Sequence, residues 1–270
     1  MSVVLFNEKL VEATQLALPL PNRGLAFGDG FFETLIFSSN QLRLADDHAA
    51  RMRQATAALY LTLPAPLATA EALASTLGAL VAANQLPAAR LRLQVWRGGG
   101  GRYTPPTDTT EWLATAEPFV PDDSPIGVAD FARETQSMYS LLSFCKGPQA
   151  WLYVRAAHER QQRGLDEIIL CDAAGHVAEA GAAAVFWLKD NALYTPALTS
   201  GCVAGVRRAD VLRRAAVLGM PCREGLYLAQ DLVAAEAIFT ANVAAVRVVQ
   251  QVGNVTFGAP EPALLAGLRT

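Results

Sequence analysis

The chain has 270 residues, of which 52% are apolar and 17% charged, enough material for two domains of roughly 100 to 200 residues each. With 22 basic and 25 acidic residues its net charge is −3, which excludes the basic surface that nucleic-acid backbones require. No uncharged apolar run reaches the ~18 residues that a bilayer span needs, and the N-terminus lacks a basic leader. We therefore expect a cytoplasmic protein that binds neither nucleic acid nor membrane.

The first half of the chain has the pattern of an α+β domain. Alternating apolar residues and turn signals predict one hairpin at residues 2–12 and another with strands at 31–37 and 41–44. Asp46 and Asp47 are suitable N-caps for a helix that follows, and residues 67–83 have the apolar spacing of a second helix. Strands are predicted at 89–96 and 112–116, on either side of a glycine-rich loop.

A segment rich in proline and aspartate, residues 118–125, is the best linker candidate. It separates an N-terminal α+β domain, residues 1–117, from a C-terminal α/β domain, residues 126–270. Helices are predicted there at 149–163 and 205–218, with a short helix after the second. The predicted strands lie at 126–131, 167–171, 185–189, 193–195, around 238, and at 246–252.

The cysteines and histidines show no metal-binding pattern. Four cysteines lie far apart without a CxxC pair, and the three histidines have no spacing typical of a metal site. We expect free thiols and no metal.

Lysine is rare in this chain. Only Lys9, Lys146 and Lys189 are present, so 19 of the 22 basic residues are arginine. Lys9 and Lys189 lie at predicted hairpin turns, whereas Lys146 lies in an otherwise uncharged stretch before a helix. Because an amine can lose its proton and act as a nucleophile while a guanidinium cannot, Lys146 is a candidate for Schiff-base chemistry. Taken alone, a surface or helix-flanking lysine is the simpler interpretation.

Five motifs occur in a fixed order. A glycine-rich loop at residues 22–30 enters the aromatic strand, where glycine permits close backbone approach. The others are residues 48–52 after the second hairpin, Lys146 before a helix, residues 177–181 before an apolar strand, and residues 205–208 opening a helix, with 239–242 after a further strand. This ordered set resembles the class IV aminotransferases, the fold-type IV pyridoxal phosphate enzymes, over nearly the whole chain.

The resemblance implies a two-domain fold like that of D-amino acid aminotransferases, with pyridoxal 5′-phosphate at the domain interface, and a homodimer. It implies that Lys146 is the catalytic lysine that forms the Schiff base, and that Glu179 faces the pyridine nitrogen, where a carboxylate keeps the ring protonated. The remaining implied cofactor-binding residues, on the phosphate side, are Arg51, Gly205, Val206, Arg207 and Thr240.

Substrate-side residues are less defined. Arg97 matches a position that holds a substrate carboxylate in D-amino acid aminotransferases, although it could equally form an interdomain salt bridge. Phe27, Phe32 and Trp151 are candidates for an apolar pocket. The chain also departs from the family pattern: alanines follow Glu179, and Arg207 stands where the family usually has threonine.

Three functions stay open. Transamination between an amino acid and a 2-oxo acid comes first, because it is the broader activity of the family. The glycine-rich loop with flanking Arg97 and Arg102 is similar to the loop of 4-amino-4-deoxychorismate lyases, which release pyruvate to give 4-aminobenzoate for folate. The third is a catalytically silent dimeric binding protein on the same fold, against which the isolated Lys146 argues.

Overall fold

The computed structural model of the chain describes residues 2–147 and 150–269 and divides into two units. The first unit runs to Val120 and also includes the segment that begins at Cys145. The second begins at Pro121, breaks off after Phe144 and resumes at Ala150. Lys146 therefore belongs to the first unit, whereas the sequence-based boundary placed it in the C-terminal domain.

The first unit contains an antiparallel sheet with helices. Among the described residues, six strands pair in the order β2-β1-β6-β5-β3-β4. The elements are β1 (Val3–Phe6), β2 (Lys9–Glu12), α1 (Arg23–Phe27), β3 (Gly30–Ser38), β4 (Gln41–Leu42), α2 (Ala45–Ala58), α3 (Ala70–Ala83), β5 (Ala89–Arg97) and β6 (Thr110–Pro118). Single 3₁₀ turns occupy Ala13–Gln15 and Ala65–Leu67.

Both predicted hairpins of this unit are present. Asn7 and Glu8 have φ of 44° and 70°, and positive φ at both central residues is the geometry of a two-residue hairpin turn. The second hairpin has the same turn type, but β4 has only two residues because the chain enters α2 at once. Asp46 and Asp47 therefore lie inside the first turn of α2, not at its N-cap as predicted, where their charge still suits the helix dipole.

The core of the first unit follows the apolar periodicity of its sequence. Leu73, Leu77 and Leu80 of α3 are fully buried at helical spacing. On β5, alternate residues such as Leu91 and Leu93 are fully buried. Since β5 has β3 and β6 on either side, its register fixes the position of residues on β3.

The second unit contains a mixed sheet. Among its described residues, strands pair in the order β12-β11-β10-β13-β14-β7-β8-β9, and β15 pairs with β14. The elements are β7 (Ile126–Phe131), α4 (Trp151–Gln162), β8 (Glu167–Cys171), β9 (Val177–Ala180), β10 (Ala184–Lys189), β11 (Ala192–Pro196), a 3₁₀ turn (Leu198–Ser200), α5 (Val206–Val217), β12 (Cys222–Gly225), α6 (Ala229–Val233), β13 (Ala237–Ala241), β14 (Val246–Val252), β15 (Val255–Thr256) and α7 (Pro262–Arg269).

Strand β10 is buried on both faces. Val185 and Trp187 pack into one apolar cluster, while Phe186 packs into another, with its ring stacked 5.2 Å from that of Phe239. Val211 of α5 belongs to the second cluster. The predicted buried strand at 185–189 is confirmed, and its burial anchors α5 on the sheet.

The described residues contain no helix long and apolar enough to cross a membrane. Their four cysteines are free thiols, as predicted. The mixed α/β fold class is also confirmed.

Candidate active site

Lys146 lies against the edge of β3 in the first unit. Because β4 pairs only with Phe37 and Ser38, it leaves the earlier part of that edge uncovered. There the backbone N–H of Phe32 donates a hydrogen bond to the carbonyl oxygen of Lys146 at 2.9 Å. The Lys146 Nζ atom lies 5.9 Å from the centroid of the Phe32 ring. The predicted catalytic lysine is thus hydrogen-bonded to β3. Part of the segment before this strand, predicted to be a glycine-rich loop, forms helix α1 at Arg23–Phe27.

Arg92 shares the Phe32 ring with Lys146. Its guanidinium carbon lies 3.3 Å from the ring centroid, the geometry of a cation–π contact. The side chain is exposed, and within the described part of the chain it makes no hydrogen bond or ion pair. Sequence reasoning missed Arg92, because the register that pairs Thr34 with Arg92 across β3 and β5 is not readable from the sequence.

Arg51 is held by a buried carboxylate. Its Nε donates to Glu33 Oε1 at 2.8 Å and its Nη2 donates to Glu33 Oε2. The same carboxylate lies 2.8 Å from His48 Nδ1. Glu33, His48 and Arg51 are all buried, so the first unit contains an ion cluster that is almost entirely shielded from solvent. Sequence reasoning identified Arg51 but missed Glu33, whose position in an aromatic strand gave no sign of its partners.

The electrostatics of this cluster favour an ionised glutamate and a neutral histidine. Burial raises the pKa of Glu33, but the charge of Arg51 and the hydrogen bond from His48 outweigh it and lower that pKa from 4.5 to about 2. Burial, together with the positive charges of Arg51 and Lys146, lowers the pKa of His48 more than Glu33 raises it. A neutral His48 that donates from Nδ1 to Glu33 leaves Nε2 as an acceptor, and among the described residues this buried atom has no partner.

Arg97 is already engaged inside the first unit. It is buried, and its Nε donates to Asp29 Oδ2 at 3.0 Å. Its Nη atoms donate to Asp108 and to the carbonyl oxygens of Leu59, Tyr60 and Thr107. To hold a substrate carboxylate, as predicted, Arg97 would have to release these partners. Its ion pairs in the structure, with Asp29 and Asp108, lie within the first unit, not between domains as the alternative interpretation expected.

Asp29 joins Arg97 to Arg23. Arg23 Nε donates to the same Oδ2 atom at 2.7 Å, and its Nη1 donates to the carbonyl oxygens of Gly100 and Arg102. One carboxylate thus ties two buried arginines together, and both contact the loop at 98–108. Charged hydrogen bonds from the guanidinium groups of Arg23 and Arg97 therefore hold this loop in place.

Phe27 and Trp151 are not buried within their own units. Phe27 is 44% exposed, with its ring 5.8 Å from that of Tyr103. Trp151 is the first residue of α4 and is 73% exposed. A pocket lined by these rings stays a prediction.

Glu179 lies on β9 in the second unit and is buried. The Tyr153 hydroxyl donates to its Oε1 at 2.7 Å, and the Val203 backbone N–H donates to its Oε2 at 3.2 Å. Hydrogen bonds donated to a carboxylate favour its ionised form. Sequence reasoning missed Tyr153, which lies two residues after Trp151.

The N-terminus of α5 has the features of an anion site. Gly205 is its N-cap, and among the described residues no side chain caps the helix and no acidic residue lies in its first turn. Arg207 and Arg208 are buried there, and neither Nε atom has a partner among the described residues. The free N–H groups and the positive end of the helix dipole favour an anion there, although Arg208 Nη2 already donates to Glu224 Oε2 and to the carbonyl oxygen of Pro196. Asp210 accepts one hydrogen bond from Arg207 Nη1, at 2.8 Å.

Thr240 is buried on β13, opposite Val185 and Arg247 of the neighbouring strands. Its role at the phosphate stays a prediction.

The comparison with protein families decides the assignment. The family model described as amino-transferase class IV matches residues 30–252. The chain belongs to this family.

The relatives of this class IV protein have several activities. It is 29% identical over 266 residues to a D-alanine aminotransferase of Bacillus licheniformis, covering 96% of this chain and 91% of the relative. It is 26% identical over 234 residues to an aminodeoxychorismate lyase of Vibrio harveyi, covering 84% of each. The crystal structure of 4-amino-4-deoxychorismate lyase from Pseudomonas aeruginosa superposes with a TM-score of 0.84 at 26% identity, covering 96% and 94% of the two chains.

Class IV aminotransferases and aminodeoxychorismate lyases are pyridoxal phosphate enzymes, and the residues of this chain fit that cofactor. The amine of Lys146 suits the cofactor aldehyde. The buried carboxylate of Glu179, which accepts two hydrogen bonds from the protein, suits the pyridine nitrogen. The uncapped N-terminus of α5, beside buried arginines, suits the phosphate. The departure at Arg207 also fits, because its guanidinium can bind an anion where the family's threonine offers a hydroxyl.

Proposed function

We propose that this chain is a pyridoxal phosphate-dependent enzyme that transfers an amino group between an amino acid and a 2-oxo acid, with Lys146 as the catalytic lysine. The observation that carries the proposal is the position of Lys146, one of three lysines in the chain. Its carbonyl oxygen accepts a hydrogen bond from the N–H of Phe32, on the edge of β3. The next residue of that strand, Glu33, belongs to the buried ion cluster. The family match and the D-alanine aminotransferase relative support transamination as the reaction.

The bound cofactor supplies an electron sink for negative charge at the α-carbon of the substrate. With the cofactor bound, the Lys146 amine would hold the cofactor aldehyde until the substrate amine displaces it, and the freed amine would then carry the proton to and from the α-carbon. Glu179 accepts the hydrogen bond of the protonated pyridine nitrogen. Gly205, Val206 and Arg207 at the start of α5, together with Arg51 and Thr240, bind the phosphate.

Arg92 is our candidate for binding the side-chain carboxylate of an acidic amino acid substrate. It is an exposed guanidinium without a hydrogen-bonded partner in the described chain, on the same aromatic ring that Lys146 approaches. A planar guanidinium binds a carboxylate through two parallel hydrogen bonds. We expect Arg92→Ala to raise KM for amino acids with an acidic side chain about tenfold or more and to leave KM for alanine within about twofold. Equal effects on both substrates would contradict this role.

Aminodeoxychorismate lyase activity is the second candidate. The lyase structure from Pseudomonas aeruginosa that matches 96% of this chain favours it. The same lysine serves both reactions, because each begins on a substrate amine and needs a base and an acid near the α-carbon.

The protein's action as a homodimer in the cytoplasm is part of the proposal and rests on the family alone. Sedimentation velocity at micromolar concentration tests the dimer, and a monomer under all conditions would contradict it.

The decisive experiment is an absorbance spectrum of the purified protein with pyridoxal phosphate, before and after addition of single L- and D-amino acids. We expect a visible band that survives gel filtration in the wild type, disappears in Lys146→Ala and persists in Lys9→Ala, since Lys9 is an exposed residue at the start of β2. Bleaching by one amino acid identifies the amino donor. Retention of the band in Lys146→Ala would refute the assignment of the lysine.

A second measurement separates the two candidates. Release of pyruvate from 4-amino-4-deoxychorismate, with no amino acid able to bleach the band, would favour the lyase. Absence of any band would leave the silent binding protein.

A further inference from the structure

The hydroxyl of Tyr153 donates a hydrogen bond to Glu179 within the second unit. Tyr153 is the third residue of α4, and it donates to Glu179 Oε1 on β9 over 2.7 Å. The Val203 N–H donates to the other oxygen at 3.2 Å. The two donors come from different parts of the chain, a helix and the segment before α5, so together they fix both the position and the rotation of the carboxylate.

The phenol remains a donor in this arrangement. Burial, then the charge of Glu179 and the hydrogen bond to it, raise the pKa of Tyr153. The proton therefore stays on the phenol oxygen and points to the carboxylate. Burial and the charge of Glu179 raise the pKa of the Cys202 thiol, which favours the neutral form and adds no second negative charge beside Glu179.

We infer that Tyr153 is a positioning residue for the reaction, which by donating to Glu179 holds that carboxylate ionised and aimed at the pyridine nitrogen. The inference rests on the proposed function, since only a pyridoxal phosphate enzyme needs an ionised carboxylate at this place. An ionised Glu179 keeps the proton on the pyridine nitrogen, whereas a carboxylate without the Tyr153 donor takes up that proton more readily. Tyr153 acts through Glu179 and touches neither the substrate nor the α-carbon.

The test is Tyr153→Phe, which removes one oxygen atom and preserves the ring, which packs against the apolar cluster of Ala156, Ile168 and Leu170. Tyr194→Phe is the matched control, because the Tyr194 hydroxyl accepts its hydrogen bond from an exposed arginine, Arg223, at 3.1 Å. Two properties are measured on the holoenzyme: the kinetics of amino-donor consumption, and the fraction of pyridoxal phosphate retained after gel filtration as a function of pH.

For Tyr153→Phe we expect kcat to fall about tenfold with KM within about twofold, because a lost hydrogen bond to a charged group corresponds to about one pKa unit or more. We expect the pH at which half of the cofactor is lost on acidification to rise by about one unit. Tyr194→Phe leaves both properties unchanged. A Tyr153→Phe enzyme with wild-type kcat, and with the wild-type pH for loss of half of the cofactor, would overturn the inference.

A double-mutant cycle with Glu179→Gln separates this inference from the proposed function. If Tyr153 acts through Glu179, adding Tyr153→Phe to Glu179→Gln changes kcat by less than about twofold. An undiminished second loss would show that Tyr153 acts elsewhere and would overturn the inference alone. If instead neither Lys146→Ala nor Glu179→Gln alters the cofactor spectrum, the proposed function itself has failed.

Discussion

Replacing Glu33 by glutamine would remove the carboxylate that pairs with the buried guanidinium of Arg51 in the first unit. Arg51 would keep its charge with about 5% of its surface exposed, and a neutral amide would take the place of the Glu33 carboxylate. Removing one partner of a buried ion pair costs about 3–5 kcal/mol of unfolding free energy. The depression of the Glu33 pKa, from 4.5 to about 2, gives a similar figure of about 3 kcal/mol.

The pH dependence of stability follows from the same shift. Because the pKa of Glu33 is lower in the folded protein, its contribution is fully present above pH 4.5 and is lost as the pH falls towards 2. His48 acts in the same direction at higher pH, since its lowered pKa makes the unfolded chain bind a proton first as the pH falls below 6.5.

The assay is urea unfolding of wild type and Glu33→Gln between pH 7 and pH 3. We expect the variant to lose about 3–5 kcal/mol at pH 7 and to show a shallower decline below pH 4.5. The matched control is Glu117→Gln, which breaks an exposed pair with Arg90 at 3.8 Å and should cost less than about 1 kcal/mol. Equal losses of unfolding free energy in the two variants would refute the reasoning. So would a Glu33→Gln variant whose stability declines below pH 4.5 as steeply as that of the wild type.

Three further predictions concern the loop, the sheet and the thiols. Asp29→Asn weakens the tie between two buried arginines and the loop at 98–108, so trypsin should cut after Arg102 at least about threefold faster; an unchanged rate would contradict the tie. Gly30→Ala would place a Cβ 2.0 Å from a carbonyl oxygen of β5 and should cost about 1–3 kcal/mol in thermal unfolding, whereas an unchanged Tm would show that the strands can separate. Cys145 and Cys202 are buried with raised pKa values, so Ellman's reagent should label them at least about tenfold more slowly in the native protein than in urea.

Most elements of the fold were predictable because their signals are local. Hairpin turns such as Asn7-Glu8, the helical spacing of Leu73, Leu77 and Leu80, and the continuous apolar run around Phe186 each fix a structure through neighbours in the sequence. The length of β4 and the start of α2 were less accessible, since they depend on how the chain leaves the sheet.

The functional site was only partly predictable, for a physical reason. A lone lysine among arginines attracts attention by composition, so Lys146 was found. Glu33, Arg92 and Tyr153 were missed because their chemistry depends on strand register or on contacts between distant segments. Arg97 shows the converse: an arginine after a strand suggests a ligand, but only the structure reveals how many partners it already has.

The pairing of Lys146 with β3 has a consequence for dissecting the protein. An unpaired strand edge is a template for association with other chains. In this chain a segment 114 positions after Phe32 covers that N–H, since the carbonyl of Lys146 accepts it. A fragment that stops at Val120 would lack this cover and present the edge to its neighbours in solution. The two units are therefore poor candidates for separate expression at that boundary, and a split version should carry residues 145–147 with the N-terminal piece.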